Sequence, residues 1–157
     1  GHLRGPAHGH LPGAAQVVDS REFPDGTILL KFREGEEVIT AFTAYLESRK
    51  IHAGSFQAIG AVSECEIAYF DTKTRTYERR TLEGGWEILS LLGNVARVEG
   101  KAFVHAHGSF GDRNCDMKGG HVFRAVAEPT CEMTLRPLPG AVDRVLEESC
   151  GLKLWKL

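Results

Sequence analysis

Apolar positions fall into two periods along this chain, and the places where the period changes mark its elements. Residues 27–33 are rich in β-formers and follow the turn signal Pro24-Asp25-Gly26, so they predict a strand. The period then becomes helical. Val38, Phe42, Tyr45 and Leu46 share a face, Glu34, Glu36 and Glu37 put negative charge at the start, Arg49 and Lys50 complement the dipole at the end, and Gly54 is the stop. Residues 55–62 and 65–71 read as two further strands, with the small residues Ala58, Gly60 and Ala61 implying close approach by a neighbouring backbone. A turn at 72–75 leads into a charged, exposed strand at 76–82, and Glu83-Gly84-Gly85 reads as a break. The most apolar run, residues 86–95, predicts a strand covered on both faces, by a helix on one side or a partner subunit on the other. Strands follow at about 101–110, 121–127 and 130–136, with residues 108–120 as a loop between the first two. A helical turn over 142–148 and a short strand at 152–157 end the chain. Many strands and one main helix predict an α+β domain on a mostly antiparallel sheet.

Composition narrows the class without changing this picture. A chain of 157 residues with 42% hydrophobic and 25% charged residues has the make-up of one globular domain. The first 15 residues, rich in Gly, Pro and His, read as a flexible leader, which discounts His2, His8 and His10 as ligands, and the domain is expected over 16–157. A net charge of -2 lacks the basic excess of a module that grips nucleic acid with its whole surface. The four cysteines are scattered without a C-x-x-C pair, and no apolar run of about 18 residues occurs, which together predict a cytoplasmic protein with reduced thiols and no membrane partner.

The candidate chemistry sits in Val104-His105-Ala106-His107-Gly108 and Gly119-Gly120-His121. Alternate residues on a strand share a face, so His105 and His107 point the same way, and a return strand opened by Gly119-Gly120 can bring His121 beside them. Neutral imidazole is a common ligand of zinc, and three nitrogens leave a fourth position for water or substrate. Asp112, Asp116 or Cys115 in the intervening loop would instead close such a site. Glu66 and Glu87 are acid/base candidates only if buried, and Arg75, Arg79 and Arg80 form a small basic patch that most simply reads as a solvated strand face.

In order, the helix, Ile59-Gly60-Ala61-Val62, Tyr69-Phe70-Asp71, Glu87-Ile88-Leu89-Ser90-Leu91-Leu92-Gly93, His105-Ala106-His107-Gly108 and Gly119-Gly120-His121 resemble the plants-and-prokaryotes-conserved (PPC) domain, over about residues 32–154. The resemblance implies a compact α+β domain that assembles as a homotrimer and, in prokaryotic members, a metal-binding set at the positions of His105, His107 and His121. Plant relatives add AT-hooks and act as nuclear DNA-binding proteins; here the nearest string, Leu3-Arg4-Gly5-Pro6, lacks the second arginine of a hook. The resulting expectation is a metal-binding PPC-type homotrimer related to DNA-binding regulators, with a divalent ion, zinc by ligand preference, on His105, His107 and His121. A metal-dependent enzyme acting on a small molecule and a DNA-binding trimer without an AT-hook are the alternatives.

Overall fold

Residues Asp19–Glu22 (β1) and Ile28–Arg33 (β2) form a hairpin across the Pro24-Asp25-Gly26 turn, where Asp25 Oδ1 accepts from the Thr27 amide at 2.9 Å. In β2, Ile28, Leu30 and Phe32 are buried while Leu29, Lys31 and Arg33 face out, the alternation of a strand with one face on a core. The computed structural model describes residues 17–157; the leader expected over 1–15, with its histidines, lies outside the described residues. Helix α1 (Val38–Arg49) buries Val38, Phe42, Tyr45 and Leu46, the face expected from their spacing. Glu37 caps it, its carboxylate accepting from the amides of Ile39 at 2.6 Å and Thr40 at 3.3 Å. Lys50, in the left-handed region at φ 54°, ends the helix before Gly54 is reached.

The runs read as pairs of short strands are continuous. They form β3 (Gly54–Asp71), β4 (Thr76–Val98) and, after the single strand β5 (Lys101–Gly111) that the sequence predicts, β6 (Met117–Pro137). Bulges near Gly60 and Ser63 bend β3 where a break between two strands is expected, and β4 continues past Gly84 and Gly85, which sit at positive φ in the irregularity opposite Ser63. These four strands pair in a closed circuit, β3 with β4, β4 with β5, β5 with β6 and β6 with β3, all antiparallel. β2 extends the sheet along the far half of β6.

The chain ends differently from expectation. Instead of a helical turn over 142–148, residues Asp143–Glu147 (β7) and Leu152–Lys156 (β8) form a hairpin whose first strand meets β4 in parallel at Arg97 and Asp143. The reason is tertiary: Arg97 donates to both Asp143 carboxylate oxygens, at 2.7 and 3.0 Å, and its amide donates to the Val142 carbonyl at 2.7 Å. That pairing overrides the weak helical preference of a short segment.

The single core takes α1 and the inner faces of the strands together. Phe42 stands edge-on to both Phe32 (6.5 Å between centroids) and Phe56 (5.0 Å), and Glu47 ties the helix to β5 by accepting from the Ala102 amide. In the apolar run of β4, Ile88, Leu91 and Val95 enter the core. Leu89 and Leu92 remain 46% and 53% exposed, so within one chain this strand is covered on one face only.

β4 and β5 approach closely at Gly93. A methyl group there would collide with the His105 carbonyl oxygen and stand 2.7 Å from Phe56 Cζ. Gly93→Ala should therefore lower stability by about 1–3 kcal/mol, the usual cost of overpacking, read as a fall in the urea midpoint. An unchanged midpoint would contradict this packing.

Candidate metal centre

β5 returns into β6 through a tight turn at 112–116, where Asp112 Oδ1 accepts from the amides of Asn114 at 2.8 Å and Asp116 at 3.0 Å. The turn is narrower than the loop expected over 108–120, because residues on both sides already pair as strands. In the register, His107 lies opposite His121, Gly108 opposite Gly120 and Ser109 opposite Gly119. The two glycines let β6 wedge between its neighbours. A Cβ at Gly119 would stand 2.6 Å from the Gly108 carbonyl oxygen of β5, and one at Gly120 would stand 2.5 Å from the Ala68 carbonyl oxygen of β3. His105, two residues from His107, returns to the same face.

The three rings consequently gather. Centroids are 5.0 Å apart for His105 and His107, 5.3 Å for His105 and His121, and 5.6 Å for His107 and His121, and one nitrogen from each lies within 4.8 Å of the others. His105 Nε2 and His107 Nε2 are 3.2 Å apart. A tetrahedral ion about 2.0–2.1 Å from two nitrogens holds them about 3.3 Å apart, so the spacing suits a shared cation. Burial holds the pKa of His105 and of His121 down to about 4; at His105 the Arg144 guanidinium adds to this, and at His121 the neighbouring imidazoles do. Both rings are neutral at neutral pH, with lone pairs to offer. His121 Nδ1 is buried without a hydrogen-bond partner, a cost that coordination through that nitrogen would offset.

A second layer surrounds the rings. Tyr77 and Phe123 pack against His121 at 4.9 and 4.4 Å between centroids. Arg144 is only 9% exposed; its Nη1 donates to the Lys153 carbonyl at 2.9 Å, and its Nη2 donates to Asn94 Oδ1 at 2.8 Å and contacts His105 Nδ1 at 3.1 Å. With Phe103, Leu152 and Leu154 these groups wall an open cleft of about 540 Å³ beside the histidines. His107, the exposed ring, faces solvent at this side.

Other candidates stand elsewhere. Asp112 is spent on its own turn, and neither it, Asp116 nor Cys115 lines the cleft. Glu66 pairs with Arg79 at 2.5 Å, and Glu87 is exposed on β4. Among the described residues, no acidic side chain lines the cleft. On the basic strand face Arg79 and Arg80 are paired with Glu66 and Glu78, at 2.5 and 3.9 Å, while Arg75 donates to the carbonyls of Glu148 and Ser149. Sequence reasoning missed Arg144, because the segment holding it read as helical. The available signal was the alternation Leu152-Lys153-Leu154 after Gly151, a strand that needs a partner just upstream.

The model of the Plants and Prokaryotes Conserved (PCC) domain family matches residues 21–139. Among solved structures, the chain is similar to a metal-containing protein from Archaeoglobus fulgidus, with 34% identity, TM-score 0.80 and coverage of 90% of this chain and 99% of the other. A plant- and prokaryote-conserved protein from Pyrococcus horikoshii shares 30% identity over 89% of this chain and 94% of its own, with TM-score 0.79. A proposed DNA-binding protein from Ralstonia eutropha shares 26% identity over 88% and 95%, with TM-score 0.82. No curated protein matches the chain in sequence.

The depressed histidines give the ion-free protein a pH dependence of definite sign. Unfolded, His105 and His121 titrate near 6.5; folded, at about 4. Between these values the unfolded chain binds more protons, so stability is complete above about 6.5 and declines as pH falls towards 4. Urea midpoints should drop across that window, and His121→Phe should flatten the decline. A slope unchanged by the substitution would contradict the burial of this ring.

Proposed function

Because the chain belongs to the Plants and Prokaryotes Conserved domain family, we propose that it is a metal-binding member of that family, holding one divalent ion on His105, His107 and His121. The observation that carries this reading is the convergence of three imidazoles, two of them held neutral by burial, on adjacent strands. Zinc suits the ligands best, since nitrogen donors at tetrahedral spacing are its usual partners. The metal-containing relative from Archaeoglobus fulgidus supports the same assignment. Three protein nitrogens would leave a fourth position, and the cleft beside the exposed His107 offers it room. An ion there would polarise an oxygen bound to it.

The accessible cleft favours a second reading, a metal-dependent enzyme acting on a small molecule. Against it stands the lining, which among the described residues offers no carboxylate to move a proton. Association with DNA draws support from the Ralstonia eutropha relative, while the pairing of Arg79, Arg80 and Arg124 with Glu66, Glu78 and Glu64 leaves little free positive charge on that face. The working form of this reading is a homotrimer in the cytoplasm. Ile59, Leu89 and Leu92, exposed on β3 and β4, are side chains a partner subunit would cover.

Elemental analysis should find one zinc per chain in the purified protein and a near-complete loss in His105→Ala. Metal content unaffected by that substitution would refute the ligand set. Light scattering should return about three times 17.2 kDa, and a monomer would exclude the trimer.

A further inference from the structure

Arg144 is a buried cation with no acidic partner. It forms no ion pair among the described residues, and its Nε–H is buried without an acceptor. An unpaired buried charge is costly, and this one lies against the imidazole cluster. A divalent ion on three neutral imidazoles would add two positive charges that no carboxylate of the cleft offsets.

From this charge imbalance we infer that the cleft takes a small carboxylate with an apolar body, its carboxylate held between Arg144 and the metal position and its body against Tyr77, Phe103, Phe123 and Leu154. The inference rests on the metal reading above and adds the class of ligand. The proton positions lead the same way. His105 Nδ1 accepts from Arg144 Nη2 only while Nε2 carries the ring proton. His105 Nε2 is the nitrogen that faces His107, so an ion held there requires the proton on Nδ1, where it meets an Arg144 N–H head on. That contact must open. Arg144 is left with an Nη2–H and the Nε–H unspent, two donors of the kind a planar carboxylate accepts from a guanidinium. The walls exclude a heavily charged ligand: they are aromatic and aliphatic apart from the lysine at 153, and one guanidinium supplies too few donors for a phosphate dianion.

The test uses benzoate, its neutral analogue benzamide and inorganic phosphate, titrated calorimetrically into zinc-loaded protein. Benzoate should bind, benzamide should not, and phosphate should bind more weakly than benzoate. Arg144→Gln should keep its zinc and bind benzoate roughly tenfold more weakly or worse, the effect of losing a charge-assisted pair. Equal benzoate affinity in Arg144→Gln, equal binding of benzamide, or tighter binding of phosphate would each overturn the inference. Should Arg144→Gln fail to fold, cobalt(II)-loaded wild-type protein decides: benzoate must shift the d–d absorption bands and benzamide must leave them unchanged, and bands indifferent to benzoate refute the proposal. Failure of the wild-type protein to take up zinc or cobalt is seen before any benzoate is added. It refutes the metal reading itself, and with it the ligand assigned here.

Discussion

The pairing register of β5 against β6 is the constraint on which the rest of the site depends. His107 opposite His121 follows from two glycines that let three backbones lie closer than any side chain would permit. Because side chains alternate on a strand, a slip of one residue would turn His121 to the opposite face and leave a pair in place of a triad. The closed circuit of β3 to β6 resists such a slip, since β6 is hydrogen-bonded on both sides along the stretch that carries His121. The core serves the same end. Phe32, Phe42 and Phe56 interlock the helix with the sheet, while Glu47 fixes the helix to the start of β5, the strand that leads into His105.

Much of this was legible in the sequence, for reasons that differ between elements. The helix showed because its buried residues kept one period and its ends carried matching charge. The relative placement of the histidines showed because it needs only the two-residue period of a strand and a glycine-opened return. Strand continuity did not show. Gly84-Gly85 reads locally as a break, and β4 continues past it because β3 pairs with the residues before and after, Glu83 and Trp86. The C-terminal hairpin was hidden for a related reason. Its first strand is held by Arg97, distant in sequence, and the one local sign of it was the alternation of the strand that follows, so Arg144 was hidden with it.

Electrostatically the proposed site would invert the usual second layer of a zinc centre. A ligating histidine ordinarily gives its other ring proton to a carboxylate or carbonyl, which strengthens it as a donor. At His105 the neighbour is a guanidinium, with Asn94 directly opposite in the register. The protein thereby keeps an arginine where most such sites keep an acid. Burial lowers the basicity of His105, and the guanidinium beside it lowers it further.

The cleft is assembled from two parts of the chain with different standing. The histidines lie within residues 21–139, the stretch matched by the family, whereas Arg144 and Leu154 come from the β7–β8 hairpin beyond it. That hairpin joins the body beside β4 through one parallel bridge and the Arg97–Asp143 pair, with further side-chain contacts from Arg144 to Asn94 and His105 and from Arg75 to the carbonyls of Glu148 and Ser149. On the proposed reading, selectivity and ion retention would be separable inheritances: changes in the tail would alter the charge and shape presented to a guest molecule, while the three histidines would stay on strands within the family's own stretch.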